Sequence, residues 1–353
     1  MNFMVDSEYL LFMAHNYTRA YDDNKSICYP TKPYVLNLQD RIRLYDVGIR
    51  TASEQPAWHT LEPKKGEYNF DYLDDIIKLN REAGLKSLVQ IHGWRIPAWM
   101  PKEWRAQTKE GVYEGQMISM WNKEAQEYGD NYYRMLDDRY MDQPDVAFYF
   151  GEWQGGEGAM RNTHCYYDWA ALEDYKKIYG SSAVPDLSTP ETTQWLGDTI
   201  IEHFLQRGAL LYPKYHEIWN MMQYIMTYEQ TSKGSFGDKA FGNFVHTDII
   251  KAYRESFPEA CIVLCQGTYY DDSHGQDNVD FVDMLRYTHD CEVIVEAMYC
   301  RGLATTTPKA IAQEFRGQLV QPAFEEGATK LEDWMVDAIR VSHQLWVESK
   351  GDI

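Results

Sequence analysis

Two glutamates in a glycine-rich stretch that follows an apolar run are well suited to acid–base chemistry. Residues 146–158 read VAFYFGEWQGGEG, so that Glu152 and Glu157 flank Trp153. Glycine lets the backbone approach a ligand closely, tryptophan offers a flat apolar face, and glutamate can give or take a proton. The pattern predicts a buried strand that ends in a reactive loop. A solvated glycine-rich turn is the alternative interpretation.

A third glutamate, Glu296, interrupts the apolar run of residues 292–298, which read EVIVEAM. Removing a carboxylate from water costs free energy unless a partner or a function compensates. A structural ion pair is one explanation, and a catalytic carboxylate is the other. Two carboxylates that face a sugar across a cleft, one protonated and one ionised, are what glycoside hydrolysis requires.

Seven short apolar runs alternate with helical stretches, which predicts one continuous α/β domain. The predicted strands are 10–15, 49–54, 86–93, 146–150, 217–222, 261–266 and 292–298. This alternation predicts a single-domain (β/α)8 TIM barrel over residues 1–353. Helices are expected over 308–324 and 331–348. An eighth strand is expected within 343–348, unless the chain stops before it.

The composition of the chain favours neutral partners. Its 353 residues carry 54 acidic against 34 basic side chains, a formal net charge of -20. This charge argues against a nucleic acid or an anionic membrane surface as partner. The 27 tyrosines and 11 tryptophans suit sugar rings, whose C–H faces stack on aromatic side chains.

Location is not specified by the sequence. The six cysteines show no metal-ligand spacing, and their apolar surroundings lean towards free thiols in a reducing compartment. We find no signal peptide and no apolar run long enough for a membrane span. A cytoplasmic protein and a secreted protein whose signal has been removed are both compatible with these observations.

Several segments resemble retaining glycoside hydrolases with (β/α)8 barrels. Residues 48–70, GIRTASEQPAWHTLEPKKGEYNF, resemble the second strand and loop of these enzymes, with a tryptophan, a Glu-Pro pair and a Gly-x-Tyr-x-Phe run. The Leu-Asp pair that follows in the family is residues 73–74 here. Residues 90–99, QIHGWRIPAW, resemble the third strand. Residues 165–180 are similar to the helix after strand four in bacterial β-galactosidase-like members.

The resemblance implies cleavage of β-glycosidic bonds by two carboxylates. Members often hold zinc with a cysteine cluster, but Cys165 alone does not rebuild one, and we expect no metal or other cofactor. The resemblance places the acid/base after strand four, where Glu152 and Glu157 compete, and the nucleophile at the end of strand seven, which is Glu296. We favour Glu157 because it lies past the glycine turn, where its side chain could reach into a cleft. Glu152 stays open, since Gly151-Glu152 and Gly156-Glu157 stand where many barrel hydrolases have Asn-Glu. An inverting mechanism also stays open, since it differs in carboxyl separation, about 6.5–9.5 Å rather than about 5–5.5 Å.

The remaining strand ends supply the residues expected to bind the sugar. These are Glu152, Trp153, Glu54, Trp58, His92, Trp94, Asn220, Gln266 and Tyr299. For each of them core packing is the alternative role. The loops 102–116 and 230–245 are expected to wall the cleft. The sugar, its linkage and the choice between internal and terminal cleavage stay open.

Two alternatives come from other functional classes. A catalytically silent barrel could bind carbohydrate as an accessory domain of a larger polysaccharide-processing protein. A barrel isomerase or lyase would need a divalent metal, but Asp271, Asp272 and His274 lack further ligands at fixed spacing and predict a polar loop. The expected partner is a carbohydrate substrate. A homo-oligomer is also compatible, since trimers are common in the family that the chain resembles.

Overall fold

The structure is a computed structural model that describes a defined part of the chain. The described residues are 10–14, 37–54, 56, 58–91, 96–111, 113–140, 142–150, 166–186, 189–211, 219–224, 252, 255–257, 261–268, 292–298, 319–323, 331, 333, 336–337, 340 and 344.

Eight parallel strands form one sheet. They are β1 (Leu10–Ala14), β2 (Ile49–Glu54), β3 (Lys86–Ile91), β6 (Val146–Phe150), β7 (Trp219–Tyr224), β8 (Cys261–Thr268), β9 (Glu292–Met298) and β10 (Leu319–Ala323). Each strand pairs with the next one in this order, and every pair is parallel. Cα atoms of β1 and β10 also approach within 8 Å. The predicted α/β class is therefore confirmed.

Helices connect the first strands of the sheet. They are α1 (Leu38–Asp46), α2 (Trp58–Leu61), α3 (Asp71–Glu82), α4 (Lys123–Tyr140), α5 (Trp169–Tyr179) and α6 (Pro190–Leu211). In α3, Leu73, Ile76 and Ile77 are buried, and their spacing places them on one face of the helix. Pro190 is the first residue of α6, where its fixed φ suits a helix start.

Leu331 and Val336 pack against α1 and β2. A buried apolar cluster combines residues of α1 and β2 with Leu331 and Val336. The Arg43 guanidinium of α1 donates to the carbonyl oxygen of Leu331 at 3.2 Å and pairs with Asp333. Covering one face of a parallel sheet requires such helical packing, because both faces of these sheets are buried.

Polar contacts tie α3 to neighbouring elements. The Asn80 side-chain amide is buried, accepts from Arg41 of α1 and donates to Ser87 Oγ of β3 at 2.9 Å. Arg81 binds the Asp145 carboxylate before β6 with two N–H donors, at 2.6 and 2.8 Å. These contacts connect α3 with α1, with β3 and with the residue that precedes β6.

The predicted strands agree with the observed ones, except for the eighth. Residues 49–54, 146–150 and 292–298 form strands with the predicted bounds. The prediction of an eighth strand within 343–348 was wrong: the strand is β10, at 319–323. Pro322 lies in β10, and a proline in so short a run argues against a strand when only the sequence is read.

The segment expected as a long loop at 102–116 is also different. It begins with a 3-10 turn at Lys102–Trp104 and continues as an antiparallel pair of short strands, β4 (Arg105–Gln107) and β5 (Tyr113–Ile118). The turn between them contains Gly111, whose φ of +82° favours glycine. The prediction of irregular structure here was therefore wrong.

Gly84 is expected to be a sensitive position for stability. Its φ is +81°, and a Cβ added there would lie 3.1 Å from Tyr45 Cε2. Gly66 has a similar φ of +74° but open space around it. Gly66→Ala should lower the free energy of unfolding by about 1–2 kcal/mol through backbone strain. Gly84→Ala should lower it by about 1 kcal/mol more, because of the added crowding. Urea unfolding of both variants measures the difference, and equal losses would contradict the crowding by Tyr45.

Candidate active site

The carboxyl ends of parallel strands meet at one edge of a sheet, where α/β barrel enzymes hold their active sites. Glu54 is the last residue of β2, and it pairs with Ala14 of β1 and Val89 of β3. It therefore stands at this edge, as the sequence analysis expected.

Glu296 lies in β9, two residues before the strand ends at Met298. Its register partners are Gly267 of β8 and Gln321 of β10. Gln266, another predicted sugar-binding residue, pairs with Val295 beside it. Gln266 and Glu296 thus occupy neighbouring positions near the ends of adjacent strands.

The strand β6 leads directly into the glycine-rich stretch. It ends at Phe150, whose register partner is Asn220 near the start of β7. Asn220 therefore lies beside the point where the chain leaves the sheet towards Glu152 and Glu157. Asn220 was expected near the end of a strand over 217–222, but β7 spans Trp219–Tyr224, so Asn220 lies near its start, and its role in sugar binding stays a prediction.

Six of the predicted site residues lie outside the described residues. They are Glu152, Trp153, Glu157, His92, Trp94 and Tyr299. Asp271, Asp272 and His274 lie outside them as well. Their predicted roles stay predictions.

Trp58 has the contacts of a core residue. It opens the short helix α2, and its exposed fraction is 0%. Its indole stacks on the Tyr132 ring at 4.3 Å between centroids, and its Nε1–H donates to Glu62 Oε2 at 2.7 Å. Contact of Trp58 with a sugar stays a prediction, while its described contacts support the fold.

The carboxylate of Glu62 is the centre of a buried hydrogen-bond cluster. Glu62 follows α2 and has an exposed fraction of 0%. Oε2 accepts from Trp58, whereas Oε1 accepts from the backbone N–H of Gly66 at 2.8 Å and from the Tyr128 hydroxyl. The backbone carbonyl of Glu62 accepts from Trp99 Nε1 at 3.0 Å. A buried carboxylate needs such donors to offset its lost hydration.

Aromatic rings enclose this cluster. The Tyr128 ring lies 5.5 Å from Trp99 and 5.3 Å from Trp104, measured between centroids. The Lys65 ammonium lies 5.1 Å from the Trp104 ring centroid, within the range of a cation–π contact. The rings come from the segments after β2 and β3 and from α4, so the cluster joins three parts of the chain.

Tyrosines around Glu62 are held in their protonated form. Burial raises the pKa of the Tyr128 hydroxyl above its ordinary value, and its hydrogen bond to Glu62 raises it further. Burial and the nearby Glu62 charge also raise the pKa values of Tyr68 and Tyr132. The Tyr128 hydroxyl therefore stays protonated at neutral pH and keeps its hydrogen bond to the Glu62 carboxylate.

Sequence reasoning did not single out this cluster. Glu62 entered only as part of the Glu-Pro pair that carries the family resemblance, and Tyr128 and Tyr132 were not among the residues expected at the site. One signal was available: Glu62 follows Trp58 by four positions, and Tyr132 follows Tyr128 by four. That spacing places each pair on one side of a helical turn.

A second buried carboxylate, that of Asp168, lies at the start of α5. Its Oδ1 accepts from Ser119 Oγ at 2.8 Å and from the backbone N–H groups of Ala170 and Ala171 at 3.2 Å. Its Oδ2 is buried and finds no hydrogen-bond partner among the described residues. Burial raises the pKa of the Asp168 carboxyl, since these donors compensate only part of the lost hydration.

Within the ranges that the structure describes, no group of three histidine, cysteine, aspartate or glutamate side chains comes together as a metal ion would require. Nor does any helix there combine the length and the apolar character needed to cross a membrane.

The sequence matches one family model over its first half. Residues 36–179, less than half of the chain, match a model described as Beta-galactosidase (Glyco_hydro_42). The matched range runs from just before α1 to the end of α5 and so contains the Glu62 cluster. A comparison with curated proteins finds no match.

Solved glycosidase structures share the fold over nearly the whole chain. The catalytic domain of β-amylase from Paenibacillus polymyxa aligns with a TM-score of 0.64 at 11% identity, covering 97% of this chain and 98% of that one. The β-galactosidase from the psychrophilic Marinomonas ef1 aligns with a TM-score of 0.64 at 14% identity, covering 97% of this chain and 59% of that one. The β-galactosidase from Rahnella sp. R3 aligns with a TM-score of 0.65 at 12% identity, covering 98% of this chain and 57% of that one.

The likeness confirms the predicted resemblance. The family model and the solved glycosidase structures together support a glycoside hydrolase as the enzyme class. At 11–14% identity the structural likeness concerns the fold alone. The chain spans 57–59% of the length of the two β-galactosidases.

The carboxyl groups of Asp168 and Asp145 should change the stability of the folded state with pH in opposite directions. The Asp168 pKa is raised by burial, so the folded state holds this proton more tightly, and its contribution to stability falls as pH rises above the unfolded pKa. The hydrogen bonds from Arg81 lower the Asp145 pKa, so its contribution is present above the unfolded pKa and is lost as pH falls.

Urea unfolding from about pH 3 to pH 7 checks this expectation. Relative to Asp168→Asn, the wild type should lose stability as pH rises through this range. Relative to Asp145→Asn, it should gain stability over the same range. Slopes of equal sign for the two comparisons would disprove the assigned environments.

Proposed function

We propose that this chain is a β-glycoside hydrolase that works by a retaining mechanism on a closed (β/α)8 barrel. The observation that carries the proposal is Glu296 near the carboxyl end of β9, in the same parallel sheet as the strand that leads into Glu152 and Glu157. Closure of the barrel is supported by the sequential order of eight parallel strands and by the approach of β1 to β10.

In the proposed reaction Glu296 is the nucleophile and Glu157 is the acid/base. The Glu296 carboxylate attacks the anomeric carbon while Glu157 protonates the leaving oxygen, which breaks the glycosidic bond and leaves the sugar bound to Glu296 as an ester. Glu157 then takes a proton from water. That water attacks the anomeric carbon and releases Glu296, so both carboxyl groups return to their starting states.

Glu152 is the alternative acid/base. It follows the last residue of β6 by two positions, whereas Glu157 follows it by seven. With Glu157 as the acid/base, Glu152 binds the sugar or adjusts the pKa of its neighbour. The proposal therefore requires the two glutamates to be separated experimentally.

We further propose a β-galactoside as the substrate class. The family model that matches residues 36–179 is described as Beta-galactosidase, and two similar structures are β-galactosidases. The predicted sugar-binding residues Glu54 and Gln266 stand near the carboxyl ends of their strands, where they would line such a site.

A silent carbohydrate-binding barrel remains the second candidate. The observation that favours it is Gly151 before Glu152, where many barrel hydrolases have asparagine. Loss of that amide would remove a contact to the sugar 2-hydroxyl, a group whose hydrogen bonds strengthen in the transition state. Such a protein would bind sugars without turning them over.

Hydrolysis of 4-nitrophenyl β-D-galactopyranoside tests the proposal. Glu296→Gln should lower kcat by at least about a thousandfold, because no glycosyl-enzyme can form. The acid/base variant should lose about 100- to 10,000-fold in kcat, because water then attacks the glycosyl-enzyme without a general base. Added azide should restore release of nitrophenol in that variant, because azide attacks the glycosyl-enzyme without a general base.

Comparison of Glu157→Gln with Glu152→Gln decides which glutamate is the acid/base, since azide should rescue only that variant. Glu67→Gln is a suitable control, because Glu67 is an exposed glutamate whose carboxylate pairs with Lys64. Retention of the β-anomer, followed by NMR of the first product, supports the retaining mechanism. Galactoside binding without turnover by the wild type would favour the silent barrel.

A further inference from the structure

Glu62 joins the two loops that follow β2 and β3. Its side chain holds its own segment, through the N–H groups of Trp58 and Gly66. Its backbone carbonyl holds the Trp99 indole, which belongs to the segment after β3. The Tyr128 hydroxyl of α4 donates a hydrogen bond to the Glu62 carboxylate.

These loops leave the sheet at the edge where the proposed site lies. The segment around Glu62 starts directly after Glu54, the last residue of β2. The segment that contains Trp99 follows β3, which ends at Ile91. Contacts that converge on Glu62 therefore join these two loops to each other.

We propose that Glu62 is a positioning residue that sets the affinity of the site for its sugar by holding the loops after β2 and β3 together. This inference rests on the proposed function and deepens it. Glu62 contacts no reacting atom in this proposal. It acts through the two loops, the first of which follows Glu54 at the end of β2, while the second follows β3.

The cluster requires a carboxylate, and not an amide, at position 62. Each oxygen of Glu62 faces N–H or O–H donors: Trp58 at Oε2, and Gly66 and Tyr128 at Oε1. Neither N–H group can become an acceptor. A glutamine at this position would turn its NH2 group towards one of them and lose a hydrogen bond in a buried place. Glu62→Gln thus perturbs the cluster while its volume is nearly kept.

The test combines kinetics with hydrogen exchange. With 4-nitrophenyl β-D-galactopyranoside, Glu62→Gln should raise KM at least about tenfold while kcat changes less than about threefold, since loops that hold substrate in ground and transition state alike act on KM. Amide exchange should become faster in peptides covering 58–70 and 96–104, and stay unchanged in α6. Tyr128→Phe removes one donor and should produce the same pattern to a smaller extent.

Glu67→Gln is the matched control, because it changes an exposed glutamate of the same segment and should leave KM and exchange unaltered. Faster exchange that spreads equally to α6 would mean a merely structural role and overturn the proposal. Unchanged KM, or unchanged exchange in 96–104, would overturn it too. A wild type without turnover would count against the proposed function, while the exchange pattern would still decide whether Glu62 couples the two loops. If Glu62→Gln does not fold, Tyr128→Phe supplies the same decision.

Discussion

Parallel pairing of eight strands is the constraint on which the rest of the structure depends. Because parallel neighbours need crossover connections, helices must return the chain from one edge of the sheet to the other. Every strand therefore ends at the same edge, and the loops that leave it lie side by side. Glu54, Gln266 and Glu296 come from distant parts of the sequence, yet this pairing brings them to that edge.

Buried carboxylates beyond this edge show how differently a charge can be accommodated. Glu62 has donors on both oxygens, from a tryptophan, a backbone amide and a tyrosine. Among the described residues, the Asp168 carboxyl has donors on one oxygen only, and burial raises the pKa of this carboxyl. The difference follows from the surroundings, since three segments converge on Glu62 whereas Asp168 caps a single helix beside Ser119.

The fold alone does not decide the chemistry. A β-amylase domain and β-galactosidases resemble this chain equally well, with TM-scores of 0.64–0.65. A barrel-type scaffold supports many reactions because its loops vary while its strands remain. The proposed hydrolysis therefore depends on particular residues, above all Glu296 and the glutamates after β6. The proposed β-galactoside specificity depends on the family match over residues 36–179.

The sequence by itself determined where seven of the eight strands of the sheet form, because apolar runs such as 146–150 and 292–298 are typical of strands in a parallel sheet covered on both faces. It also indicated the glycoside hydrolase resemblance. It did not reveal β10, because Pro322 is locally unfavourable in a strand. In the folded chain Pro322 lies beside Ala297 of β9, and pairing with β9 forms the strand despite this proline. Nor did the sequence reveal that Trp58 is buried against Glu62, because burial depends on which segments converge, and distances between segments are decided only when the chain has folded.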